Sequence, residues 1–279
     1  MSRRAGIIGH PVAHSLSPVF QAAAFAHCGL DVMYERWDTP PGELETRVRG
    51  LRDAELLGAN VTIPHKESVI PFLDELGGQS ARVGAVNTIV NREGRLFGFN
   101  TDGPGFVAAL RNEAAFNPAG KSILVVGAGG AARGIVFALA EASAAEIAIW
   151  NRTPERAQRL AADASGNGSK VRPTDSKECR SYDCIVNCTS VGMDGTGTES
   201  SSPVDFGDAA DGALAVDIVY KPEKTAFLKA ASGHGVKTLG GLPMLIYQGA
   251  LAFELWTGVP APVDVMFDAA RRHLKGQSL

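Results

Sequence analysis

Residues 121–153 read KSILVVGAGGAARGIVFALAEASAAEIAIWNRT, and this stretch decides the fold. SILVV is an apolar run of strand length. Gly127, Gly129 and Ala132 follow in G-x-G-x-x-A spacing and open an alanine-rich run of helical length. A second apolar run, EIAIW, ends on Asn151. Strand, glycine turn, helix and strand make a βαβ unit of a parallel, doubly wound sheet. Each small residue answers a physical need. The first permits the tight turn, the second lets backbone approach a pyrophosphate, and the third lets helix and strand pack closely. The helix N-terminus then offers unpaired N–H groups and a positive dipole end to an anion.

The end of the second strand selects the nucleotide. An NAD-binding unit usually carries Asp or Glu there, to hold both ribose hydroxyls. This chain has Asn151, followed by Arg152, Thr153 and Arg156. No carboxylate repels a 2′-phosphate, and two arginines lie near enough to pair with one. The plain alternative is a basic helix start, which the helix dipole disfavours.

Bulk properties frame this reading. The 279 residues suffice for one large domain or two ordinary ones. Hydrophobic content of 45% and charged content of 20% are those of a soluble globular protein. A net charge of −3 leaves no footprint for nucleic acid. No apolar run is long enough to span a membrane, and the N-terminus lacks a secretory pattern, so the cytoplasm is expected. The four cysteines, Cys28, Cys179, Cys184 and Cys188, form no C-x-x-C pair and read as buried free thiols. The histidines show no ligand spacing, so no metal is expected.

Composition shifts near residue 103. Before it, strands RAGIIG, VMYERWD and GANVTI alternate with helices at Pro18 to about Cys28, Gly42–Arg52 and HKESVIPFLDEL. AVNTIVNREGRLFGFN then reads as a hairpin turning at REG. A helix, GPGFVAALRNEAAF, leads into the second unit, which adds strands CIVNCTS, LAVDIVY and VKTLGG. The Gly- and Ser-rich stretch 191–208 is expected to be mobile, and Gly77 and Gly78 to loosen their segment. The last forty residues form two helices with no strand of their own, expected to return to the first domain.

Several residues in the first part stand at strand ends. In NVTIPHK (60–66), Asn60 and Thr62 share one face of a strand that stops at Pro64, with Lys66 just beyond. Lys66 alone reads first as a solvated lysine opening a surface helix, because lysines are mostly exposed. In HSLSPVF, Ser17 is the expected N-cap and Pro18 the first helical residue. Ser15 and Ser17 are capping groups, or a pair of hydroxyls at a helix N-terminus for a small carboxylate. Asn87 in GAVNTI and Asp102 in GFNTDG also end strands. In open α/β sheets ligands gather at such ends, and a common cleft beside the nucleotide unit is expected.

The motifs SLSP, NVTIPHK, GAVNT, GFNTDG, GAGGAAR, NRT, NCTSVGM, DIVYKPEKT and GGLPMLIYQGA stand in this order along the chain. Together they resemble the shikimate dehydrogenase family over essentially the whole length. The resemblance implies a two-domain α/β fold. Residues 1–103, completed by helices 242–279, form the substrate domain, and 104–241 a Rossmann-type NADP domain. It implies Lys66 as the catalytic acid–base group and Asp102 as its partner. Ser15 and Ser17 would bind the substrate carboxylate, and Asn60, Thr62, Asn87, Asp102, Tyr220 and Gln248 would contact or position the substrate. Gly127, Ala128, Gly129, Gly130 and Ala131 would hold the pyrophosphate, and Asn151, Arg152, Thr153 and Arg156 the ribose phosphate. Ile218 and Gly241 would lie near the nicotinamide.

The implied activity is reversible reduction of 3-dehydroshikimate to shikimate, on the route to chorismate and aromatic amino acids. The implied partners are small molecules, with no nucleic acid or membrane, in a monomer or homodimer. A ketone accepting hydride develops negative charge on oxygen, which a nearby ammonium stabilises and protonates. Two alternatives stay open: a family member preferring quinate or an amino-shikimate, and a non-catalytic NADP sensor. A sensor would have no need of Lys66, Asp102 or the paired serines.

Overall fold

The computed structural model describes residues 3–166 and 168–276. The chain divides into two compact units, one of residues 1–101 with 246–279, the other of residues 102–245.

The first unit contains β1 (Arg3–Gly9), α1 (Ser17–His27), β2 (Val32–Asp38), α2 (Leu44–Gly50) and β3 (Leu56–Val61), then β4 (Glu75–Leu76), α3 (Ser80–Val83), β5 (Thr88–Arg92) and β6 (Arg95–Phe99). Its six-stranded sheet has the order β2-β1-β3-β5-β6-β4. β1 runs parallel to β2 and β3, while β5 runs antiparallel to β3 and β6. β3 is buried along its whole length, Asn60 included. Ile8, Trp37, Val48, Val61, Ile89 and Leu96 build the core on one side of this sheet. The β5–β6 hairpin turns at Glu93 and Gly94, both with positive φ (54° and 81°). That is the two-residue turn whose twist matches its strands.

Three local expectations need correction. Residues 65–76 do not form an α-helix: they run through turns, a 3₁₀ turn at Ile70–Phe72 and β4. Pro71 lacks the N–H that would bond back to residue 67, so the single α-type bond from Val69 N to the His65 carbonyl is not propagated. The strand read as running to Pro64 ends at Val61 instead: the chain turns there, with His65 N donating to the Thr62 carbonyl, and Ile63 is 71% exposed. Ser17 is not the N-cap of α1 but its first residue, after Leu16. The Ser15 hydroxyl accepts the Ser17 N–H instead, at 3.3 Å.

The second unit contains α4 (Asp102–Glu113), β7 (Ser122–Val126), α5 (Gly130–Glu141), β8 (Glu146–Trp150), α6 (Pro154–Ala164), β9 (Lys170–Pro173), β10 (Cys184–Asn187), β11 (Leu214–Asp217), α7 (Ala226–Gly233) and β12 (Lys237–Leu239). All six strands are parallel, in the order β12-β11-β10-β7-β8-β9. The order reverses between β7 and β10, which is where such sheets open a crevice. α4 lies close against α5: a Cβ at Gly103 would sit 2.3 Å from the Gly134 carbonyl oxygen.

α8 (Leu242–Thr257) and α9 (Val263–Leu274) complete the chain, and from Ile246 onward they belong to the first unit. α9 packs on α1, the ring of Phe253 of α8 packs tilted against Phe25 with centroids 5.1 Å apart, and Trp256 Nε1 donates to the Ile89 carbonyl at 2.9 Å.

Two glycine-rich stretches make specific contacts. In 191–208, Thr196 donates to the Met193 carbonyl at 2.7 Å, and Val204 and Phe206 enter the core of the second unit. Gly77 admits the Phe99 ring, which a Cβ there would meet at 2.2 Å. Cys179 and Cys184 are buried, whereas Cys28 and Cys188 are half-buried. No helix among the described residues is long and apolar enough to cross a membrane.

Candidate functional site

In the first unit a buried chain of polar side chains joins three of the expected positions, Asn60, Asn87 and Gln248. Tyr34 on β2 donates its phenol proton to Asn60 Oδ1 at 2.7 Å. Asn60 Nδ2 donates to the Asn87 carbonyl (3.3 Å) and to Thr88 Oγ1 (3.2 Å). Those bonds fix the amide's orientation, since a carbonyl only accepts. Asn87 Oδ1 accepts the Thr101 N–H at 2.7 Å, and Nδ2 donates to Thr101 Oγ1 (2.9 Å) and Gln248 Oε1 (3.2 Å). Asn60, Asn87, Thr88, Thr101 and Gln248 are all buried. Burial pushes the Tyr34 phenol well above its ordinary range, against a smaller pull from Ser17 and Arg36.

The turn bearing Lys66 is pinned on both sides. The Lys66 carbonyl accepts Val86 N–H at 2.7 Å, next to Asn87. The buried ring of His65 donates from Nε2 to the Thr39 carbonyl at 2.6 Å. Lys66 is half-buried. Thr62 is also half-buried, and it passes close over Gly9, where a Cβ would meet its methyl at 2.4 Å. Ser15 is half-buried and Ser17 buried.

The second unit carries the remaining positions. Asp102 directly follows Thr101, opens α4 and is buried. Gly127 has φ +117° and faces Cys188, whose carbonyl oxygen a Cβ would meet at 2.9 Å. A Cβ at Gly129 would point into open space. α5 begins at Gly130 with no side-chain cap, so its leading N–H groups can face an anion. This cradle fits a pyrophosphate.

Asn151 holds the next turn. Its Oδ1 accepts the Ala128 N–H at 3.1 Å, and its Nδ2 donates to the Thr153 carbonyl at 2.8 Å. Arg152, Thr153 and Arg156 are exposed beside it, and among the described residues no carboxylate forms a salt bridge with either arginine. The site thus has the cations for a 2′-phosphate. Ile218 and Tyr220 are half-buried after β11. The Gly241 backbone lies against Ile218, whose carbonyl oxygen a Cβ at Gly241 would meet at 2.3 Å.

Three family models match in chain order: the shikimate dehydrogenase substrate binding domain over residues 7–89, shikimate / quinate 5-dehydrogenase over 110–219, and the shikimate 5′-dehydrogenase C-terminal domain over 241–271. The shikimate dehydrogenase (NADP(+)) of Methanopyrus kandleri is 46% identical over 278 residues, covering 97% of this chain and 95% of that one. The chain belongs to the shikimate dehydrogenase family.

Solved structures agree with the family assignment. The Thermus thermophilus shikimate 5-dehydrogenase in complex with NADP(H) and shikimate has a TM-score of 0.88 at 44% identity, covering 97% of this chain and 99% of that one. A shikimate dehydrogenase in complex with NADP+ has a TM-score of 0.91 at 38% identity, covering 98% and 96%. The family fold, an N-terminal substrate-binding domain plus an NADP-binding domain, is therefore that of this chain.

Sequence reasoning missed Tyr34, Thr88 and Thr101 in this shikimate dehydrogenase fold. Thr101 stands inside GFNTDG and Thr88 inside GAVNT, so the motifs contained both. Tyr34 lies in an ordinary strand, and nothing local marks it.

Proposed function

We propose that this chain is an NADP-dependent shikimate dehydrogenase, interconverting 3-dehydroshikimate and shikimate. The observation that carries the reading is the buried relay from Tyr34 through Asn60 and Asn87 to Gln248. It holds amide groups ready for a polyhydroxylated ring, in the unit that matches the family's substrate-binding domain. Residues 1–103 with 242–279 are the substrate domain in this reading, and 104–241 the nucleotide domain.

Lys66 is assigned as the acid–base group and Asp102 as its carboxylate partner. The Lys66 ammonium stabilises negative charge growing on the carbonyl oxygen and delivers the proton. Ser15 and Ser17 take the substrate carboxylate, and Asn60, Thr62, Asn87, Tyr220 and Gln248 take its hydroxyls or orient it. Gly127–Ala131 cradle the pyrophosphate, while Arg152 and Arg156 hold the 2′-phosphate with Asn151 and Thr153. Ile218 and Gly241 lie at the ring end. When bound, NADPH supplies the hydride.

Mixing the purified protein with NADPH and 3-dehydroshikimate tests the reading: NADPH absorbance should fall. No loss with 3-dehydroshikimate alongside loss with 3-dehydroquinate would move the substrate to quinate. The protein is proposed to work in the cytoplasm as a monomer or homodimer, which sedimentation of the purified chain distinguishes.

A further inference from the structure

Asp217 is fully buried, and the reaction outlined above makes no use of it. It ends β11, paired in register with Asn187 at the end of β10. Among the described residues its hydrogen-bond partners are neutral donors: Asn187 Nδ2 at 3.0 Å, Val219 N at 3.0 Å and Thr225 Oγ1 at 2.6 Å. Burial raises its carboxyl above the usual range, and the three hydrogen bonds offset only part of that. A buried carboxylate paired with neutral groups is costly, so its retention calls for a reason.

The three donors belong to three segments. Asn187 organises the turn after β10: its Oδ1 accepts Thr189 N (3.0 Å) and Thr189 Oγ1 (2.7 Å), and its Nδ2 also donates to the Val191 carbonyl at 3.2 Å. Val219 belongs to the segment leaving β11, where Ile218 N donates to the Asn187 carbonyl at 3.1 Å. Thr225 caps α7, accepting Leu228 N at 3.2 Å while it donates to Asp217. Two carboxylate oxygens can accept all three donors, whereas an amide would turn an NH₂ toward one of them. All three segments stand at the carboxyl ends of β10 and β11, on the far side of the switch point from Asn151. In a doubly wound sheet that side receives the second half of a dinucleotide.

We propose that Asp217 is a positioning residue, which locks the Ile218–Val219 backbone to the 187–191 turn and so shapes the surface for the nicotinamide end of NADP. The inference rests on the NADP reading above. It acts through backbone and through Ile218, not by contact with the ring.

The test uses the full chain with Asp217→Asn, Thr225→Val and the conservative Thr225→Ser, each checked for folding by its thermal midpoint. Two probes separate the halves of the cofactor. Adenosine 2′,5′-bisphosphate reports the adenosine half alone, and the emission of bound NADPH reports the ring. Asp217→Asn and Thr225→Val should bind the bisphosphate like wild type. At saturation, their bound NADPH should lose the emission change seen with wild type, and kcat should fall about tenfold, the loss expected from one buried hydrogen bond. Thr225→Ser should recover both signals. Unchanged NADPH emission in the two variants overturns the inference, as does equal weakening of both probes, which marks a general role in folding. Should Asp217→Asn fail to fold, Thr225→Val reads out the same contact. A wild-type chain that binds neither probe overturns the NADP reading, and this inference with it.

Discussion

The side-chain oxygen of Asn151 accepts the backbone N–H of Ala128 at 3.1 Å, so the end of β8 is tied to the glycine turn after β7. The same amide donates to the Thr153 carbonyl at 2.8 Å. One residue thereby sets both the pyrophosphate turn and the arginine-bearing turn. Gly127 N–H, bonded to the Trp150 carbonyl at 2.7 Å, adds a second tie between them.

Asn151→Asp keeps the acceptor for Ala128 but loses the donor to Thr153 and sets carboxylate lone pairs against that carbonyl. NADP affinity should fall about tenfold or more, from lost positioning together with charge repulsion. NAD affinity should fall too, because the pyrophosphate turn is shared. Fluorescence titration with both nucleotides checks this, and a gain in NAD affinity would show that the clamp matters little.

Arg152→Ala and Arg156→Ala should each weaken NADP by about tenfold, one charge-assisted contact, and leave NAD binding near wild type. Both side chains are exposed, so the fold should not respond. Equal losses for the two nucleotides would assign these arginines to the pyrophosphate or the fold instead.

Lys66→Ala should lower kcat by roughly 10²–10⁴-fold, the usual share of a general acid–base group, with NADP affinity unchanged. The turn itself should persist, since its ties run through the Lys66 carbonyl and the His65 ring. Near-normal kcat at saturating shikimate would remove Lys66 from the chemistry.

Tyr34→Phe deletes the donor to Asn60 Oδ1 without changing the ring, and leaves that buried oxygen unpaired. Stability should drop by about 1–3 kcal/mol, and KM for shikimate should rise as Asn60 is freed to turn. Urea unfolding and steady-state kinetics measure the two effects. A stability loss with KM unmoved would make Tyr34 a packing residue only.

Acid should weaken the first unit through Asp74. Arg52, at 2.6 Å, and then the Leu96 N–H, at 2.7 Å, hold its carboxyl below the ordinary 3.8. The unfolded chain therefore takes up this proton first on acidification. The contribution to stability is present above about pH 4 and is lost as pH falls through the folded-state value. Asp74→Asn should accordingly lie below wild type in thermal midpoint at neutral pH and converge with it in acid. Parallel curves would show that Asp74 carries none of the acid dependence.

The sequence by itself determined the nucleotide-binding βαβ unit and the central strands of the second unit, but not α6, β9 or α7. Apolar runs of strand length, G-x-G-x-x-A spacing and a helix between them are local signals, and they led to β7, α5, β8 and the phosphate turn. The hairpin at Glu93–Gly94 was legible for the same reason, because turn chemistry lies within a few residues. Tertiary structure alone decided what partners far along the chain decide. Tyr34 meets Asn60, and Asn87 meets Gln248 across 161 positions. Asp217 gathers donors from three segments, and the Asn151 oxygen is taken up by Ala128. Composition states which donors and acceptors a chain owns, but folding decides which of them meet. Residues 65–76 show the converse, since an apolar pattern of helical period yielded to Pro71 and to the contacts that pin His65 and Lys66.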